Sequence, residues 1–124
     1  MVKVKITSLE GSALEWAVEN AVLKDRISNE EQRASIARRN IRVRGESGSY
    51  LLNKSLGWSL VEPIKGLHVR NWLESADPEK SSEVSIHNYE GSWIAFGPTA
   101  LIAGLRCFVR WKLGDEVEVP EELL

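Results

Sequence analysis

The run TALIAGLRCFVRWKL, Thr99 to Leu113, reads as a helix with one broad apolar face. Leu101, Ile102, Leu105, Phe108, Val109 and Leu113 recur at three- and four-residue spacing. Both ends are marked. Gly97 and Pro98 stop the preceding element, and Thr99 supplies an N-cap hydroxyl for a free backbone N–H one turn on. Arg110 and Lys112 fall in the last turn, at the negative end of the helix dipole, and Gly114 suits the left-handed position that closes a helix. An apolar face this wide needs a layer on which to pack, and the rest of the chain must provide it.

Alternating patterns supply that layer. Val2 to Ile6 places Val2, Val4 and Ile6 on one side and Lys3 and Lys5 on the other, as in a half-buried strand. Ala13 to Leu23 is helical, with Leu14, Ala17, Val18, Ala21 and Val22 in one stripe and Thr7 or Ser12 as cap. Ser28 with Glu31 forms a capping-box pattern and predicts a second helix over Asn29 to Arg39. Ile41 to Arg44 alternates and reads as a short strand, and Glu46 to Ser49 as a loop. Tyr50 to Gly66 is apolar without a clean period, and Pro63 argues against a helix through Glu62, so packed irregular structure with about one helical turn is expected. Leu67 to Leu73 reads as a strand and Glu74 to Ser82 as a polar loop. Glu83 to Asn88 and Gly91 to Phe96 form a hairpin. Asp115 to Leu124 is an acidic tail whose Val117, Val119 and Leu123 can still dock. The expected fold is α+β: a single domain over residues 1–124, with a small mostly antiparallel sheet and the first and last helices packed on one face. Residues 26–49 form an arginine-rich helix-and-loop insertion in that scheme.

Composition narrows the function classes. A chain of 124 residues buries a core without staples, and its single cysteine excludes an internal disulfide. No apolar run is long enough to span a bilayer, and the start resembles no signal peptide, so a cytosolic location with no membrane partner is expected. The net charge of −2 gives no global drive toward nucleic acid. Its distribution is uneven. Arg26 to Arg44 holds six arginines against two acids, a local +4, and the remainder carries −6. Arg33, Arg38, Arg39, Arg42 and Arg44 are therefore the candidate phosphate contacts, although no aromatic residue lies among them to stack on bases.

Chemistry is otherwise sparse. The chain contains no G-x-S-x-G, phosphate loop, G-x-G-x-x-G or H-E-x-x-H. His68, His87 and Cys107 lie far apart in sequence and form no ligand motif, so no catalytic residue, metal or cofactor is assigned. The two histidines lie on expected strands, and a deep pocket holding either beside a carboxylate would favour a small-molecule binder or an enzyme. Cys107 reads as a buried inert thiol.

The C-terminal stretch resembles the NinX-like family of small tailed-phage and prophage proteins, a family of unknown function. The shared pattern is G-P-T-x-L-I-A-x-x-R-C-x-V followed by K-L-G-D-E-V-x-x-P-x-E-L. It is carried here by Gly97 to Thr99, Leu101 to Ala103, Arg106, Cys107, Val109, Lys112 to Val117, Pro120, Glu122 and Leu123. Val2 to Val4, Leu9, Gly11, Ala13-Leu14 and Trp16 to Val18 resemble that family's opening strand and helix, and Trp58, Pro63-Ile64 and Leu67 to Val69 give a weaker match between them. The resemblance implies a phage or prophage accessory protein in the bacterial host cytoplasm, and it carries over no activity. The expected mode of action is non-enzymatic binding of a host or phage protein, with nucleic-acid association through the arginine segment as the alternative. A homodimer is open in both cases. Arg and Trp are the residue types enriched in binding hot spots, which makes Arg106, Trp72, Trp93 and Trp111 the candidate partner surface.

Overall fold

The computed structural model describes residues 1–45, 49–72 and 76–124. The expected loop at 46–48 and the junction at 73–75, which includes the last residue of an expected strand, lie outside the described residues. The elements run β1 (Val2–Lys5), α1 (Gly11–Leu23), α2 (Glu30–Arg44), α3 (Lys54–Val61), β2 (Leu67–Asn71), β3 (Ser82–Asn88), β4 (Gly91–Gly97), α4 (Ala100–Leu113) and β5 (Glu116–Val119). The fold is α+β. Its strands form two antiparallel sheets where one was expected: the pair β1–β5 and the triplet β2–β3–β4.

Helix α4 lies at the centre because its surface divides into two apolar faces. Leu101, Leu105, Phe108 and Val109 join Leu14, Val18, Ala21 and Val61 in the main core. Ala103 and Cys107 face the other way, onto Val84, Ile86 and Ala95 of the three-stranded sheet. Small residues on that second face let helix and sheet approach closely: a Cβ on Gly97 would stand 2.9 Å from the Ala103 nitrogen. Thr99 caps the helix by accepting from the Ile102 N–H, as the sequence implies. The first and last helices therefore do not share a face of the triplet, although both contact β5 of the two-stranded pair. α4 covers the triplet, and α1 packs on the far side of α4 and against β5.

The β1–β5 pair explains the fate of the acidic tail. Val2 faces Val119, Lys3 faces Glu118, Val4 faces Val117 and Lys5 faces Glu116. Val119 is fully buried, and the Trp16 indole N–H donates to the Glu118 carbonyl at 2.9 Å. Alternation turns the valines inward and sets lysine against glutamate on the outer side, where such cross-strand pairs contribute about 0.2–1 kcal/mol each.

Four other expectations change. α2 continues to Arg44 and absorbs the short strand expected at Ile41 to Arg44, since Ala34, Ile36, Ala37 and Ile41 fit a helical face as well as Ile41 and Val43 fit an alternation. Its N-cap is Asn29, whose side chain accepts from the Gln32 N–H, and not Ser28. α1 starts after Glu10, so neither Thr7 nor Ser12 caps it. Within Tyr50 to Gly66 an eight-residue helix, α3, is capped by Asn53 and ends before Pro63. Gly57 makes it possible, because a Cβ there would stand 2.2 Å from the Tyr50 carbonyl oxygen.

Candidate functional site

The five candidate phosphate contacts on α2 are largely committed to the fold. Arg33 is buried and donates through Nη1 to the Ile27 and Ser28 carbonyls, tying the helix to the turn before it. Arg44 pairs with the buried Glu19 carboxylate and donates to the Tyr50 hydroxyl, and Asn40 donates to the same carboxylate. This network joins α1, α2 and the segment before α3. Arg38 lies 3.7 Å from Glu122 and 5.7 Å from the centre of the Trp16 ring. Only Arg39 and Arg42 present exposed side chains with no hydrogen bond or ion pair among the described residues.

The expected partner surface of Arg106, Trp72, Trp93 and Trp111 is not one surface. Arg106 is 2% exposed. Its Nε donates to the Leu9 carbonyl at 2.8 Å, and its Nη1 to the Phe96 carbonyl at 2.9 Å and to Glu79 at 3.1 Å. It is an internal clamp, not a contact for a partner. Trp93 and Trp111 meet at the margin of the interface between α4 and the sheet, with ring centres 6.1 Å apart. Trp72 lies beyond the end of β2 with the Arg70 guanidinium 5.2 Å from its ring centre. The even-numbered residues of β2 face away from α4, whereas Trp93 faces it.

The register of the three-stranded sheet defines what its two edges present. The His87 N–H donates to the Gly66 carbonyl and the Trp72 N–H to the Ser81 carbonyl, so Gly66, His68, Arg70 and Trp72 turn their backbone groups toward β3. Leu67, Val69 and Asn71 then turn theirs outward, and among the described residues no hydrogen bond reaches those groups. By the same alternation Ile94 and Phe96 form the outer edge of β4. That edge is occupied: Arg110 Nη1 donates to the Ile94 carbonyl at 2.7 Å, and Arg106 Nη1 to that of Phe96. Val69 and Trp72 are 44% and 45% exposed beside the open edge.

A cleft of about 410 Å³ separates the β4 edge from β1 and β5. Lys5, Arg106 and Arg110 line it together with Asp115 and Glu116, and Arg110 is already paired with Asp115 at 2.7 Å. Neither histidine lines it, so it does not supply the catalytic pocket that the sequence left open. His68 and His87 instead sit together on the exposed face of the sheet, ring centres 5.7 Å apart. Among the described residues no three His, Cys, Asp or Glu side chains converge. Cys107 is fully buried, with Sγ 3.5 Å from the Trp93 carbonyl, and burial pushes its thiol up to about 12 despite the nearby positive charge of Arg110. It cannot serve as a thiolate nucleophile near neutral pH.

No protein-family model, curated protein or solved structure matches this chain. No helix among the described residues is long and apolar enough to cross a membrane.

Proposed function

We propose that this chain is a non-enzymatic accessory protein of phage or prophage origin that binds a host or phage protein. Its mode of binding is capture of an extended acidic segment along β2. The observation that carries this reading is the open β2 edge. A strand with unpaired N–H and C=O groups is a template for a further strand, and Leu67, Val69 and Asn71 offer three such residues in register.

Charge selects the occupant. β2 alternates as Leu67-His68-Val69-Arg70-Asn71, apolar toward the helix side and basic on the outer face. β1 follows the same rule, and its partner within the molecule is Glu116-Val117-Glu118-Val119, acid set against base and valine against valine. A guest strand with acids opposite His68 and Arg70 and an apolar residue opposite Val69 satisfies β2 in the same way. A second copy of β2 fits less well, because centring the pair on Val69 sets His68 against Arg70. The C-terminal resemblance supports the phage or prophage setting, and the commitment of Arg33 and Arg44 to internal partners weighs against α2 as a phosphate-binding surface.

The test is a fluorescence-anisotropy titration with a labelled peptide of repeating Glu-Val, against a Lys-Val control, combined with amide NMR of the ¹⁵N-labelled protein. The expected result is binding of the acidic peptide alone, weakened by salt, with the Leu67, Val69 and Asn71 amides shifted and protected. Equal binding of both peptides, or shifts elsewhere, overturns the strand-capture reading. A stable dimer dispersed by Val69→Pro would make the occupant a second copy instead. Salt-sensitive DNA binding lost in Arg39→Ala/Arg42→Ala would move the function to α2.

A further inference from the structure

The register that leaves β2 open also brings two histidines together. His68 is directly opposite Ser85, and His87 lies two residues further along β3, so the pair is diagonal on the face turned away from α4. Both are exposed, with ring centres 5.7 Å apart and planes inclined at 59°. We infer that His68 and His87 form a two-imidazole chelate for a borderline divalent transition-metal ion, of the Cu²⁺, Ni²⁺ or Zn²⁺ class. This inference is independent of what occupies the β2 edge.

Three observations carry it. The first is distance. An imidazole nitrogen binds such an ion at about 2.1 Å, which puts the ring centre about 3.2 Å from the metal. Two rings on one ion, at angles between square and tetrahedral, then have centres about 4.5–5.2 Å apart. The observed 5.7 Å is closed by a small rotation of one ring, and exposed side chains are free to make it. The second is orientation. His87 Nδ1 is 2.8 Å from the Ser92 hydroxyl on the β4 side. The hydroxyl oxygen can accept from an Nδ1–H, and in that tautomer Nε2 is left as the ligand, the arrangement found around metal-bound histidine.

The third is the electrostatic setting. On this face β2 carries a fixed cation at Arg70, two residues from His68. Its guanidinium lies over the Trp72 ring, on the side away from His87, and Glu83 is its cross-strand neighbour. Ser85 and Ser92, the residues opposite the two histidines, are neutral. Imidazole ligands with no thiolate and no directed carboxylate suit these ions better than calcium or magnesium. The remaining coordination positions belong to water.

The experiment is calorimetric titration of the intact protein with CuCl2 and, separately, NiCl2, on wild type, His68→Gln, His87→Gln and the double variant. Copper EPR serves as a second readout. The expected result is one site in the wild type with copper bound more tightly than nickel, two nitrogen couplings in the copper spectrum, and a loss of roughly tenfold or more in affinity in either single variant. A chelate also requires the double variant to lose little beyond the singles. Both positions are solvent-exposed, so circular dichroism should show all four proteins equally folded. A loss below tenfold in either single variant, or wild-type copper binding by the double variant, overturns the site.

Discussion

The two edges of the three-stranded sheet have received opposite treatment. Along β4, two arginines of α4 reach across and take the outward carbonyls of Ile94 and Phe96. Along β2, no hydrogen bond among the described residues reaches the outward backbone groups of Leu67, Val69 or Asn71. Exposed strand edges invite aggregation, and folds usually cover, shorten or charge them. This fold closes one edge with guanidinium groups and leaves the other with a basic outer face and a neutral backbone. The closed edge serves stability, and the open edge is the one we propose a partner strand takes.

The largest effect expected from breaking this contrast is at Arg106. Arg106→Ala removes the donor for two backbone carbonyls and leaves Glu79 without its partner. A buried acceptor left unsatisfied costs about 1–3 kcal/mol, so the variant should lose about 3 kcal/mol in urea denaturation. Arg106→Lys should recover only part, since a single ammonium cannot span the Leu9 and Phe96 carbonyls as the planar fork does. Cys107 reports the same event independently. Its Sγ lies under Trp93 of β4, so a thiol reagent should react slowly with the wild type and faster with Arg106→Ala. Equal rates would mean that the arginine does not hold the edge.

The buried thiol gives a second, smaller way to sharpen the contrast. Burial raises Cys107 from its ordinary value of 9.0 to about 12, outweighing the opposing influence of Arg110. The unfolded chain therefore releases this proton first. Between pH 9 and 12 the unfolded state holds fewer protons than the folded state, and stability falls as pH rises. The ceiling on this loss is about 1.4 kcal/mol per pH unit, and below that window the group contributes no slope. Thermal unfolding of wild type and Cys107→Ala across this range should converge in stability, or cross, as pH rises. Parallel curves would show that the sheet does not seal the thiol.

Legibility in the sequence followed the range of the interactions. α4, β1 and the β3–β4 hairpin were readable because caps, alternation and the turn at Tyr89-Glu90 are local. β5 was misread as a tail because its partner stands at the other end of the chain, although Glu116-Val117-Glu118-Val119 answers Val2-Lys3-Val4-Lys5 residue for residue. Arg106 was misplaced for a related reason. Its helical position borders the apolar stripe, and nothing local says that the Leu9 and Phe96 carbonyls need a donor there. The arginines between Arg26 and Arg44 read as one basic segment until Glu19, Tyr50 and the Ile27 carbonyl claimed members of it. His68 and His87 could not be joined without the β2–β3 register. The complementary charges of β1 and β5 were in plain view, and treating every alternating basic segment as a search for an acidic one would have paired them.

The smallest effect on stability belongs to the substitution that speaks most directly to function. Val69→Pro removes one backbone N–H that faces the open edge and no bond to β3, because the neighbouring His68 and Arg70 carry the ladder. Proline is tolerated on edge strands where its missing N–H would have faced solvent, and the extended His68 before it already meets the restriction that proline imposes. The change should shift stability by less than about 1 kcal/mol. Its ring would nevertheless project from the edge into the path of a guest strand and remove the central donor, so acidic-peptide binding should disappear while the fold persists. Ser85 on β3, at the same level of the sheet, provides the control. Its N–H lies inside the ladder, and Ser85→Pro should cost about 3 kcal/mol or more. If Val69→Pro proved as damaging as Ser85→Pro, β2 would not be an edge in solution, and the asymmetry between the two sides of the sheet would vanish. If it were harmless to both fold and binding, the guest would dock elsewhere.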